Sequence, residues 1–204
     1  MSLKQRAIQA AQKERLARKN AREHLMDFTL YTKSDYQVGA HQRLLCDKLE
    51  AIERRELTRL MVFMPPRHGK SELVPTRFPA WYIGRNPKKQ IILSSYSAKL
   101  SDRFGRDIRN ILLEKKFTNV FKGVQLSRDS QAKNLWRTTQ GGVFLAAGAG
   151  GSITGYGADL AIIDDPVKDR QDAESEVIRE STWDWYKSVL RTRLMPGGAI
   201  ILVF

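Results

Sequence analysis

The sequence predicts an α/β domain, a parallel sheet covered by helices on both faces. Three observations predict it. Apolar runs at residues 60–64, 90–94, 160–163 and 199–204 have the length and composition of strands buried on both faces. The stretches between them carry apolar residues at helical spacing. Strand and helix then alternate along the chain, as a parallel sheet with crossover helices requires.

Composition narrows the class further. A chain of 204 residues holds one ordinary domain, or one large one with an appendage. With 42% hydrophobic and 28% charged residues it can build a core and is not disordered by composition. No apolar run approaches the ~20 residues of a bilayer span, so no membrane partner is expected. After Met1, Ser2 and Leu3 come lysines and arginines with no apolar stretch, unlike a secretory signal. Cys46 alone excludes a disulfide scaffold and fits a reducing cytosol. His24, His41 and His68 are scattered, which argues against structural zinc. A net charge of +13 and a pI of about 10.0 point to a polyanionic partner.

The elements follow in order. Residues 1–27 form a basic, helix-prone arm: Lys4, Arg6, Lys13, Arg15, Arg18, Lys19 and Arg22 face only Glu14 and Glu23. Ile8, Leu16 and Leu25 are too sparse for a core stripe, which leaves a solvated helix or an arm that binds DNA or a partner. Leu44, Leu45, Leu49 and Ile52 predict a helix over residues 40–54. The strand at 60–64 stops at Pro65-Pro66, and a helical stretch runs from the following turn to about Gly84. Asn86-Pro87 opens the second strand; a helix over 98–115 follows, with Leu100, Phe104, Ile108, Ile111 and Leu112 on one side. Residues 135–147 read as a hairpin around Gln140-Gly141-Gly142. A glycine-rich loop from Gly148 to Gly157 is either a moving element or a chain reversal before the third strand. A long helix over 173–193 follows, and Pro196-Gly197-Gly198 introduces the last strand. Trp81 and Tyr82 read as packing; of Trp183 and Trp185, one is expected in the core and the other at the surface.

The chemistry concentrates at two strand ends. Gly69-Lys70-Ser71 sits between a buried strand and a helix, where backbone N–H groups can cradle phosphates. There Gly69 allows close backbone approach, Lys70 reaches the β- and γ-phosphates, and the Ser71 hydroxyl suits Mg²⁺. The usual loop begins with glycine five positions before Gly69, where Met64 stands. Far downstream, the strand at 160–163 ends in Asp164-Asp165-Pro166. Asp164 suits the metal, and Asp165 suits a water that attacks the γ-phosphate. The bland alternative is turn chemistry before Pro166. Most motors with this pairing carry glutamate second; aspartate is one methylene shorter. Arg67 either supplies positive charge to the γ-phosphate or pairs with a carboxylate, and His68 reads as a loop filler.

The run Met64-Pro65-Pro66-Arg67-His68-Gly69-Lys70-Ser71-Glu72-Leu73 resembles the deviant Walker A of tailed-phage terminase large subunits. Similar to the same family are Pro79-Ala80-Trp81-Tyr82-Ile83-Gly84, Gly150-Gly151-Ser152-Ile153-Thr154-Gly155 and Ile162-Ile163-Asp164-Asp165-Pro166-Val167-Lys168-Asp169. So is Arg191-Thr192-Arg193-Leu194 with Pro196-Gly197-Gly198-Ala199. The resemblance covers about residue 28 to the end and implies an ASCE-type (RecA-like) P-loop ATPase domain over 28–204.

It implies ATP and Mg²⁺, with Pro66, Arg67, His68, Gly69, Lys70, Ser71 and Glu72 around the nucleotide and Ser71 and Asp164 on the metal. Lys70, Asp165 and Arg67 are the implied catalytic groups, and Gln42 is a weak match to the family's adenine-reading glutamine. Implied partners are double-stranded DNA, the small terminase subunit, a portal protein and further copies in a ring, in the host cytoplasm at the procapsid portal. The family usually continues into a coupling motif and a nuclease domain. The chain is therefore expected to stop before its sheet is complete, to hydrolyse ATP poorly or not at all, and not to cut DNA. Arg191 and Arg193 read as surface charges, with service to a neighbour's ATP as the alternative. Two other functions stay open: another DNA-dependent, helicase-like ATPase, and an inert binder of nucleotide or DNA.

Overall fold

The computed structural model describes residues 2–204. Ser2 caps α1 (Leu3–Glu23), its hydroxyl accepting from the Gln5 N–H while the Gln5 side chain returns to the Ser2 N–H. Most of α1 is exposed, but its C-terminal end is docked. Ala21 is fully buried, Trp81 Nε1 donates to the Ala21 carbonyl at 3.2 Å, and Arg22 Nε donates to the Val120 carbonyl at 3.0 Å. The helix breaks at His24, and α2 (Leu25–Thr32) buries Leu25, Phe28 and Thr29. Then come α3 (Ala40–Glu53), β1 (Arg59–Val62) and the short α4 (Lys70–Glu72).

The helical stretch expected up to Gly84 is not regular. A π-helical turn (Leu73–Arg77) joins α4 to α5 (Phe78–Arg85). Pro75 has no N–H to donate into an α-ladder, so the wider turn fits the sequence there. β2 (Gln90–Ser95), α6 (Ala98–Leu113) and α7 (Lys115–Val120) follow. The expected hairpin is β4 (Leu135–Thr138) with β5 (Val143–Gly148), preceded by β3 (Leu126–Gln131), which no apolar run announces. After β6 (Ala158–Asp164), the expected long helix is divided. Ser175 ends α8 (Arg170–Glu174) and caps α9 (Glu176–Trp185), which passes through a π turn and a 3-10 turn into β7 (Leu194–Val203).

Among the described residues seven strands lie in the order β1-β7-β6-β2-β5-β4-β3. The first five are mutually parallel, and β4 and β3 extend the sheet antiparallel. One core fills the face under α1 to α7, with Phe28, Leu49, Phe78, Trp81, Phe104 and Phe144 buried. A smaller one, with Ile92, Ile163, Trp185 and Ile200, lies on the opposite face. Trp185 is buried and Trp183 is 57% exposed, the division expected for the pair.

β1 departs from the expectation of a strand buried on both faces. It is the edge strand of the described sheet, and Met61 and Phe63 are 59% and 68% exposed. The helical layer over that face ends at a cleft between Trp183, Tyr186, Met61 and Leu202, so the outermost strand is covered on one side only.

Register sets up the site. Ser95 pairs with Asp164, Asp164 with Val203, and Val203 with Val62. The carboxyl ends of β2, β6, β7 and β1 thus form one row, and the loops after them converge there.

Candidate active site

At the end of β1 the chain turns through Pro65 to Gly69 into α4. Arg67 adopts φ +66° and Gly69 φ +87°, both left-handed. A Cβ at Gly69 would stand 2.9 Å from the Tyr36 hydroxyl and 3.3 Å from Gln42 Nε2, so glycine is demanded twice, by backbone and by space. The loop is braced from behind: Gln42 Nε2 donates to the His68 carbonyl at 3.3 Å, while Gln42 Oε1 accepts from the Gly39 N–H. The His68 ring lies on the Pro66 carbonyl, Nδ1 to oxygen 2.9 Å. Below the loop, Arg77 pairs with Glu72 at 2.7 Å and Thr76 Oγ1 donates to the Ser71 carbonyl at 2.9 Å.

Across the cleft, β6 delivers Asp164 and Asp165. Lys70 Nζ reaches Asp165 Oδ1 at 3.1 Å, closing a gap of ninety-five residues in the chain. Asp165 is a second strained position, φ +44°. Its N–H donates to the Val203 carbonyl at 2.9 Å and its carbonyl accepts from the Tyr96 N–H at 3.1 Å, so β7 and the chain leading into α6 hold the turn open. Left-handed non-glycine residues on both walls of one cleft are the kind of strain that concentrates at functional sites.

Asp164 is 1% exposed and its Oδ1 has no hydrogen-bond partner among the described residues. Burial, reinforced by the adjacent Asp165 charge, pushes its carboxyl up to about 7, against the pull of Lys70 and Arg103. A buried carboxylate with a free oxygen, beside a lysine and a backbone cradle, is chemically suited to a hydrated divalent cation carried on phosphates. Among the described residues no cluster of three or more His, Cys, Asp or Glu offers an all-protein metal cage. Ser71, on the cleft lining, and Asp164, next to Asp165, are the oxygen donors that would meet such a cation.

Of the residues named from the sequence, Pro66, Arg67, Gly69, Lys70, Ser71, Glu72 and Asp165 line one open cleft of about 490 Å³. Asp164 lies in the strand end beneath it. Arg67 is exposed there and forms no ion pair among the described residues. Gln42 is buried behind the loop with both ends of its amide engaged. Tyr36, whose hydroxyl has no partner among the described residues, and Arg103, whose charge acts on Asp164, belong to the surroundings and escaped sequence reasoning. Neither lies in a motif; only the fold brings them close.

A mostly parallel seven-stranded sheet flanked by helices, with a glycine turn after one strand facing an acidic end on another, is a mixed α/β fold similar to that of terminase ATPase domains. The chain belongs to the family described as terminase large subunit, T4likevirus-type, N-terminal, which matches residues 61–195 and so includes both walls of the cleft. The fold is also similar to the large terminase of bacteriophage HK97, with TM-score 0.51 and 14% identity over 82% of this chain and 33% of that one. The chain thus spans about a third of the length of that relative. No curated protein matches it. No described helix is long and apolar enough to cross a membrane.

Proposed function

We propose that the cleft is a MgATP site and that the chain is the ATP-hydrolysing part of a motor that packages double-stranded DNA into a procapsid. The observation that carries this is the approach of Lys70 Nζ to Asp165 Oδ1, 3.1 Å apart. It brings a phosphate-loop lysine and an acidic strand end to one point, as phosphoryl transfer needs.

Lys70 would leave Asp165 for the β- and γ-phosphates, and the backbone from Pro66 to Glu72 would cradle them. Ser71 and ionised Asp164 would hold Mg²⁺, which when bound neutralises charge on the phosphates. Asp165, released from Lys70, would orient the attacking water and take up its proton. Arg67 would add positive charge at the γ-phosphate. Small terminase subunit, portal protein and neighbouring copies in a ring are the partners this function requires, at the portal in the host cytoplasm.

The test is Mg²⁺-dependent phosphate release from ATP, with and without duplex DNA, by the sequence extended past Phe204. Turnover that disappears in both Lys70→Ala and Asp165→Asn supports the proposal. Nucleotide binding without any turnover would instead favour an inert nucleotide-gripping domain, because the Lys70–Asp165 pair occupies the base.

A further inference from the structure

The solvent face of α6 carries Lys99, Arg103 and Arg106, all exposed. Their spacing of four and then three residues puts them in one stripe, with steps of about 6 and 4.5 Å along the helix. With Tyr96, Ser97 and Lys133 they line an open cleft of about 510 Å³. Its one acidic lining residue, Asp102, is taken by Lys133 at 2.9 Å. Arg106 shares Asp107 at 3.3 Å, and neither Lys99 nor Arg103 has an ion-pair partner among the described residues.

Three cations spread along about 10 Å of helix reach further than one small anion. They fit a strand that presents a phosphate about every 3.4 Å of duplex axis. Tyr96, 39% exposed, is the one aromatic side chain lining the cleft among the described residues, and single strands bind on rows of stacked aromatics. The stripe is also tied to the ATP cleft. Tyr96 N–H donates to the Asp165 carbonyl at 3.1 Å, and Ser95, just before it, is paired with Asp164.

Building on the DNA-motor function proposed above, we propose that Lys99, Arg103 and Arg106, flanked by Lys133, seat the phosphodiester backbone of duplex DNA. The Tyr96–Asp165 hydrogen bond then links the seat to the acidic strand end. A shift of α6 under load would be felt at the Asp165 peptide, and a shift of that peptide at the DNA.

The test is fluorescence anisotropy of a labelled 30-base-pair duplex between 50 and 200 mM NaCl. The triple variant Lys99→Gln, Arg103→Gln, Arg106→Gln is compared with Lys4→Gln, Arg6→Gln, Lys13→Gln on α1, which removes the same charge elsewhere. At about 0.9 per phosphate contact, the α6 variant should lower the salt slope by about 2.7 and weaken binding about tenfold or more. The α1 variant should stay within about threefold of wild type. Circular dichroism checks folding; should the triple variant not fold, Lys99→Gln and Arg106→Gln singly should each lower the slope by about 0.9. Equal losses in the α6 and α1 variants overturn the proposal. So does absence of duplex binding by the wild type, or equal affinity for single-stranded DNA or poly-glutamate. MgATP binding by the wild type is measured separately. Its absence beside an intact DNA seat would defeat the ATP site alone, and ATP binding without a DNA seat would defeat the seat alone.

Discussion

Replacing Asp164 by asparagine should make the empty protein more stable and, at the same time, inactive. Asp164 is 1% exposed, has one unpartnered oxygen and neighbours another carboxylate, and its carboxyl rises from an ordinary 3.8 to about 7. Between those two values the unfolded chain has released the proton while the folded chain keeps it. Stability therefore falls as pH rises through that window, by about 1.4 kcal/mol per unit, and levels off above pH 7. The full burden is roughly 4 kcal/mol as an upper bound, and Asp164→Asn, close in shape and uncharged, removes it. Urea denaturation of both proteins at pH 4 and pH 8 isolates the effect, since the other titrating groups cancel in the difference. The variant's advantage should grow by a few kcal/mol, equivalent to about 10 °C in melting temperature at pH 8. An advantage that does not change with pH would refute the assignment of the strained charge to Asp164.

Other consequences are simpler to measure. Gly69→Ala should cost about 1–2 kcal/mol from its left-handed backbone, with further loss from the approach to Tyr36, and adding Tyr36→Phe should recover part of that second share in thermal melts. Tyr36→Phe alone should stabilise by about 1 kcal/mol, because the buried hydroxyl it removes has no partner. Lys70→Ala should change stability by less than about 1 kcal/mol, since Asp165 is 39% exposed, while removing MgATP binding in a titration. Trp81→Ala, at a side chain 1% exposed that holds the Ala21 carbonyl, should cost about 3–5 kcal/mol and speed tryptic cleavage within α1.

The parts legible in the sequence were those written as local pattern. Ile91, Ile92 and Leu93, or Leu160 to Ile163, are apolar on consecutive positions because both sheet faces are covered there. Asp164-Asp165 was readable because it ends such a run, and Gly69-Lys70-Ser71 because it follows an apolar run closely and opens a helix. β1 misled for a reason of topology: Met61 and Phe63 look like core, but the strand lies at the edge where the α9 layer stops. β3, with Arg128 and Asp129 outward and only Leu126 buried, is made by pairing with β4 and carries no periodic apolar signal. The π turns after Leu73 and Tyr186 leave the apolar spacing nearly helical, so only backbone geometry reveals them. The surroundings of the cleft were the least readable part. Tyr36, Gln42 and Arg103 come from three separate segments, and their roles depend on distances that only packing creates.

The most direct measurement is calorimetric titration of ATP into the 204-residue chain with and without Mg²⁺, repeated on Lys70→Ala. Saturable binding that needs the cation and vanishes in the variant is what a phosphate-gripping cleft between residues 70 and 164 must give. Binding that survives the loss of the lysine, or no binding in the presence of Mg²⁺, would contradict it.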